Sequence, residues 1–229
     1  MKKIVVGTLL AALALSLAAC GNTGGSGNQG DASQETTVNQ GADEVQKEEE
    51  TPYAAGSWTD NVYTNESLGL TFALPEGWQY GTAEELAEVM GNGQEVTGYS
   101  DETLSATDPI YDLYIYNGTT GASMMMMAED TSIFGDISAE EYLNSVSSDL
   151  VTYEDEGISY EIGELETLPL GKTDFMTFRA SAVYEGVAVY QQYAAAENGG
   201  RFVTIIMTAP GENGQAECEA ILSSMQPTA

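Results

Sequence analysis

From Gly21 to about Gly56 the chain is built of Gly, Asn, Ser, Gln, Thr and Glu, with almost no apolar side chain. Such a stretch has nothing to bury against the entropy of ordering it, so it cannot form a core. Folding is thereby confined to residues 57–229, some 170 residues, enough for one domain with a sizeable core. Residues 20–56 read as a flexible tether, with a root-mean-square span of about 30–35 Å and a full reach of about 120 Å.

Within 57–229 the hydrophobic spacing becomes regular. Val62-Tyr63 and Gly69–Leu74 read as two strands around an Asn65-Glu66-Ser67 turn, and Pro75-Glu76-Gly77 ends the second before Trp78. Thr82-Ala83-Glu84-Glu85 is a capping box; Leu86, Val89 and Met90 give the helix after it an apolar stripe that Gly91 closes. A Gly/Asn/Asp/Thr-rich stretch over roughly 91–108 reads as an irregular loop. Ile110–Tyr116 and Ser123–Ala128, joined by Asn117-Gly118-Thr119-Thr120-Gly121, predict a hairpin. Ser138-Ala139-Glu140-Glu141 is a second capping box, with Ile137 and Tyr142 spaced for a hydrophobic staple and Leu143, Val146 and Leu150 marking the helix face. Strands follow over about Ser159–Leu165, Thr173–Tyr184, Val187–Ala196 and Phe202–Thr208, and a last helix over about Gln215–Met225. Glu185-Gly186 and Asn198-Gly199-Gly200 supply tight turns. This order predicts an α+β domain, an antiparallel sheet with helices packed on it.

Ahead of the tether, Lys2 and Lys3 precede the apolar run Ile4–Ala19, whose 16 residues fall short of the ~20 that span a hydrocarbon core. Two lysines before a run of that length read as a signal peptide over 1–19. The run ends in Leu17-Ala18-Ala19-Cys20, which resembles the lipobox of bacterial lipoproteins. The resemblance implies cleavage before Cys20 and a diacylglyceryl thioether on its sulfur, so that Cys20 is the lipid-attachment residue and the membrane a partner. One acyl chain anchors marginally, at about 0.8 kcal/mol per buried CH₂, whereas two or three on one cysteine hold a protein in place. The expected location is the extracytoplasmic face of the cell membrane. Gly21 is not the Asp that would signal inner-membrane retention, and the spacer suits a single-membrane, thick-walled host.

Removing residues 1–19 leaves four basic residues against 36 acidic ones. A chain so acidic repels nucleic acid and anionic polymers, which excludes nucleic-acid partners. Carboxylates are ligands for hard cations, but Asp101-Glu102 and Glu154-Asp155-Glu156 lack the spacing of a calcium loop, and a solvated, self-repelling surface accounts for them. An acidic calcium-dependent module is kept as an alternative function. With Cys20 lipidated, Cys218 has no intramolecular partner. Cys218, Ile221, Leu222 and Met225 recur at helical spacing, which places the thiol on an apolar face.

Met124-Met125-Met126-Met127 could offer thioethers to Cu(I), yet strand alternation puts at most two on one side. A central strand covered on both faces needs such an unbroken apolar run, with a partner surface the remaining option. Tyr111, Tyr114, Tyr116, Tyr184, Tyr190 and Tyr193 could share a sugar- or peptide-binding face; sheet propensity and half-buried positions are the favoured explanation. Trp58 and Trp78 are expected to pack at the sheet edge. Histidine is absent, which removes triads, imidazole acid–base chemistry and imidazole metal sites. No pair of carboxylates stands out as a glycosidase site.

Residues Tyr63-Thr64-Asn65, Leu68-Gly69-Leu70-Thr71-Phe72-Ala73-Leu74-Pro75-Glu76-Gly77-Trp78 resemble the opening hairpin of PsbP/Mog1-like domains. The resemblance implies an α/β/α sandwich around a central antiparallel sheet over 57–229. Members are photosystem II subunits, a nuclear-transport GTPase regulator and bacterial lipoproteins, so it implies binding or assembly without specifying a partner. The metal association of the photosynthetic members finds no matching residues here. The expected function is a non-catalytic, membrane-tethered binding or assembly module, without catalytic residues, metal or cofactor, acting on an extracytoplasmic protein or small ligand. A small-molecule receptor, accessory to an uptake system, is the other alternative.

Overall fold

The computed structural model describes residues 52–87, 89, 108–130, 137–152, 158–184, 186–211 and 213–228. The signal peptide, Cys20, most of the tether, nearly all of the 91–108 stretch and both acidic clusters, Asp101-Glu102 and Glu154-Asp155-Glu156, lie outside them.

Two antiparallel sheets form the domain. The smaller has the order β1-β2-β3-β12, from Ser57–Thr59, Val62–Asn65, Leu70–Ala73 and Gln226–Pro227. The larger has the order β4-β5-β6-β11-β10-β9-β7, with β8 also on β9. Its strands are β4 (Gln79–Tyr80), β5 (Ile110–Tyr116), β6 (Ser123–Glu129), β7 (Tyr160–Ile162), β8 (Glu166–Leu170), β9 (Thr173–Tyr184), β10 (Val187–Asn198) and β11 (Arg201–Pro210). Helix α1 covers 83–87, α2 is Ala139–Thr152 and α3 is Gly214–Ser224.

The methionine run explains the layering. In β6, Met124 and Met126 enter one core with Leu113, Ile205, Met207, Phe72 of the small sheet and Ile221 of α3. Met125 and Met127 enter the other with Leu86 of α1 and Leu143, Val146 and Leu150 of α2. All four methionines are at most 2% exposed. The main sheet is therefore clad on both faces, by α1 and α2 on one side and by α3 with the small sheet on the other. This is the expected α+β class and α/β/α layering.

Local chemistry sets the element boundaries. The Thr82 hydroxyl accepts from the Glu85 amide at 3.1 Å, and the Thr82 amide donates back to Glu85 Oε2 at 2.7 Å. Ser138 and Glu141 repeat this reciprocal pair at 3.2 and 2.9 Å at the start of α2. Ile137 packs on the core that holds Tyr142, as the staple requires. Val187 pairs with Tyr184, and Asn198 with Arg201, so both hairpins close through two-residue loops.

Several short elements depart from expectation. The strand expected over Ser159–Leu165 is two strands, β7 and β8, laid end to end along β9. Pro169 disguises β8 in the sequence, but β8 pairs on one side alone, where a missing N–H is tolerated. Strands β1, β4 and β12 have two or three residues, too few for a period to register. The opening hairpin forms a separate small sheet instead of extending the main one. The packed chain also begins before residue 57: Tyr53, compositionally part of the tether, is 5% exposed in the core.

Two turns clasp the sheets together. Gly69 (φ 58°) and Gly171 (φ 63°) both sit in the left-handed region. A Cβ on Gly171 would lie 2.6 Å from the Gly69 carbonyl oxygen, and the Lys172 amide donates to the Leu68 carbonyl at 2.9 Å. Gly171→Ala should therefore cost about 2–4 kcal/mol, from left-handed strain and displaced backbone. Gly118→Ala, whose Cβ would meet open space, should stay within about 0.5 kcal/mol of the parent. Urea-denaturation midpoints of the two variants check this contrast.

Candidate functional site

Strand β5 carries a bulge: its register to β6 shifts between Tyr111 and Leu113. The extra residue, Asp112, is left out of the ladder and turned toward the small sheet. One carboxylate oxygen accepts from the Gly56 amide at 2.7 Å and the Tyr63 hydroxyl at 2.8 Å. The other accepts from the Asn65 amide at 2.8 Å and, through a very short contact, from the Tyr53 hydroxyl. Asn65, itself fully buried, turns its carbonyl oxygen to the Leu68 amide at 2.9 Å. Burial holds the Asp112 carboxyl above its ordinary value, while the four donors pull it back down. Burial and the neighbouring carboxylate push the Tyr53 and Tyr63 hydroxyls far up, so both stay protonated donors. Every acceptor position on Asp112 is filled from within the protein. This site is a closed knot.

The open site lies where α3 stops covering the main sheet. Glu161 of β7 pairs with Ser181 of β9, which pairs with Tyr190 of β10. These three form a row across adjacent strands on the α3 face, and Arg179 lies two residues along β9 on the same face. Gln215, from the first turn of α3, forms the wall of a groove of about 360 Å³. Arg179 is about half exposed and reaches Glu166 at 3.8 Å, a loose surface pair. Tyr190 is 9% exposed and its hydroxyl makes no hydrogen bond. Arg179 faces that hydroxyl without the geometry of a bond. Burial, aided by Cys218 and Glu219 and opposed by Arg179, pushes the hydroxyl up to about 12.

No protein-family profile matches the chain, and no curated protein does. Sixteen chains of solved structures are similar, and two serve as examples. One is LpqN of Mycobacterium tuberculosis, described as involved in cell envelope biogenesis, at 11% identity and a TM-score of 0.40, covering 70% of this chain and 83% of LpqN. The other is cyanobacterial PsbP from Synechocystis sp. PCC 6803, at 13% identity and a TM-score of 0.41, covering 76% and 96%. Both likenesses concern the fold.

The residues singled out in the sequence do not converge on one place. Cys20 lies outside the described residues. Cys218 is 2% exposed, and burial, with Glu217 and Glu219 beside it, raises its thiol to about 12. The tyrosines do not all share one face: Tyr111, Tyr114 and Tyr193 pack toward α1 and α2, with Tyr116 stacked on Tyr114, whereas Tyr190 lines the groove on the opposite side. Trp58 stacks on Tyr80 at 4.7 Å, and Trp78 is buried. Among the described residues, no group of three or more Cys, Asp or Glu is placed to hold a metal ion. Sequence reasoning missed Asp112 and Arg179. The polar Tyr-x-Asn of the opening motif was the one signal that a buried acceptor would be needed.

Two predictions follow from this chemistry. Asn65→Asp would set a second carboxylate within hydrogen-bond distance of Asp112. Like charges raise the folded-state pKa above the unfolded ~3.9, so stability is lost as pH rises through that raised value. The expected penalty is about 3–5 kcal/mol at neutral pH, shrinking as pH falls toward 4; Asn65→Ala should lack this pH dependence, which urea titrations at both pH values resolve. Cys218 should resist a thiol reagent in the folded protein and react only in denaturant, as a timed labelling assay would record.

Proposed function

We propose that the chain is a non-catalytic binding or assembly module, tethered through Cys20 to the outer face of a cell membrane. The observation that carries the non-catalytic part is the saturation of Asp112. A carboxylate held by four internal donors has no lone pair left to take a substrate proton or attack a carbon. The absence of histidine removes the commonest alternative base. Supporting the tether is Leu17-Ala18-Ala19-Cys20 directly after the apolar run, followed by some 30 residues without a core-forming pattern. Among the described residues, no helix is long and apolar enough to cross a membrane.

The groove beside α3 favours one version of this proposal, a receptor for a small polar ligand. It presents a partly exposed cation and a buried tyrosine hydroxyl with spare hydrogen-bonding capacity. A ligand at 100 times its Kd would add ~2.7 kcal/mol to stability, a rise in melting temperature that a screen of amino acids, sugars, peptides and metals would register.

The tether has its own test. Protein made in a bacterial host that processes lipoproteins should begin at a residue 20 heavier by a diacylglyceryl group. Cys20→Ser should leave the leader attached and no lipid on residue 20. Intact-mass measurement reads both, and an unmodified Cys20 would remove the anchor.

A further inference from the structure

We propose that the groove between β7, β9 and the start of α3 binds a carboxylate group, with Arg179 as the ion-pairing residue and Tyr190 as a second donor. The proposal rests on the reading of the chain as a binding module and names the ligand chemistry its open site suits.

Three observations carry it. Arg179 is one of four basic residues left beyond the signal peptide, and it lines a groove instead of being bound into the fold. Arg201, by contrast, is committed to Asp108 at 2.7 Å. Glu166 leaves the Arg179 guanidinium room to pair elsewhere, because a half-exposed contact at 3.8 Å holds it weakly. A guanidinium presents a planar fork of donors that matches a carboxylate.

Tyr190 is the second, independent feature. Its side chain is more than nine-tenths buried and lines the groove, and its hydroxyl meets the Arg179 guanidinium without a well-formed hydrogen bond. A buried hydroxyl that meets only a loosely placed guanidinium is short of hydrogen bonds, and because this one lines an open groove a guest can supply what is missing. Being protonated, the hydroxyl donates. Third, Gln215 stands in the first turn of α3, and the N-cap residue Asn213 makes no side-chain capping bond. The positive end of an uncapped eleven-residue helix thus borders the same groove.

The surroundings limit the charge of the guest. Glu161 lies in the groove's own strand row, Glu166 lies beside Arg179, and Glu219 acts on the Tyr190 hydroxyl. One guanidinium among three carboxylates suits a monoanion better than a phosphate dianion. Ser181 and Gln215 can hydrogen-bond the neutral polar part of the ligand.

The probe is N-acetylglycine, compared with its neutral methyl ester and with methyl phosphate at fixed ionic strength. The protein is the full chain in detergent micelles, read by NMR at the Arg179 Nε–H and the Gln215 side-chain amide. The acid should shift both signals saturably, the ester should not, and methyl phosphate should bind more weakly. Tyr190→Phe should weaken the acid roughly 3- to 10-fold, and Arg179→Gln should abolish saturation while keeping the parent's unfolding midpoint, since Arg179 is exposed. Equal shifts with acid and ester, tighter binding of methyl phosphate, or undiminished affinity in Arg179→Gln would each overturn the proposal. An unresponsive groove in a chain with lipidated Cys20 would remove the carboxylate and leave the tethered module. A responsive groove with unmodified Cys20 would do the reverse.

Discussion

The domain is held in register by one half-buried carboxylate. Asp112 leaves the main sheet at a bulge and meets donors from four residues between 53 and 65, all belonging to the small sheet or the segment leading into it. Taking a carboxylate out of water costs several kcal/mol, and charge-assisted hydrogen bonds of about 1.5–3 kcal/mol each recover much of it. Such a balance yields little net stability. It does yield a single arrangement, because any other seating of the small sheet strands the charge. Apolar contacts among Phe72, Met126 and Ile221 would tolerate slippage that Asp112 does not.

The same knot shows why the opening motif speaks to fold and not to function. Tyr63 and Asn65 are polar residues in a hydrophobic hairpin, the kind of feature usually read as a binding site. Here both turn inward to Asp112, and Asn65 also caps the Leu68 amide. Their polarity is consumed internally. In this chain the motif docks one sheet on the other, and the open polar groups lie elsewhere on the surface.

What could be read from the sequence was whatever depends on near neighbours. Both capping boxes join residues three apart, the two-residue hairpin loops carry their own turn signals, and Met124–Met127 announces a strand with two dry faces. What could not be read depends on distance along the chain. The donors to Asp112 lie 47 to 59 residues away, and no local pattern marks an aspartate in a strand as bulged and buried. Strand β8 was hidden by Pro169, which a propensity argument counts against any strand and an edge position allows. Arg179 looked like an ordinary strand residue until the register placed it diagonally across from Tyr190, at the edge of what α3 covers.

The two polar centres differ in a way that separates support from function. At Asp112 donors and acceptor positions balance, and buried Tyr53, Tyr63 and Asn65 close around a carboxylate that is itself only partly exposed. In the groove the count does not balance: a tyrosine hydroxyl is dehydrated with only a loosely placed guanidinium against it, that guanidinium is held weakly by Glu166, and the N-cap residue of the helix makes no side-chain capping bond. Folding alone gives no reason to leave those groups short, since an apolar residue at 190 would pack as well and avoid the cost of an unpaired hydroxyl. The deficit becomes intelligible if something arriving from solvent completes it. In a domain this acidic, an exposed arginine also sets the sign of what can arrive, because the rest of the surface repels anions and leaves this groove as a place where one negative charge is neutralised.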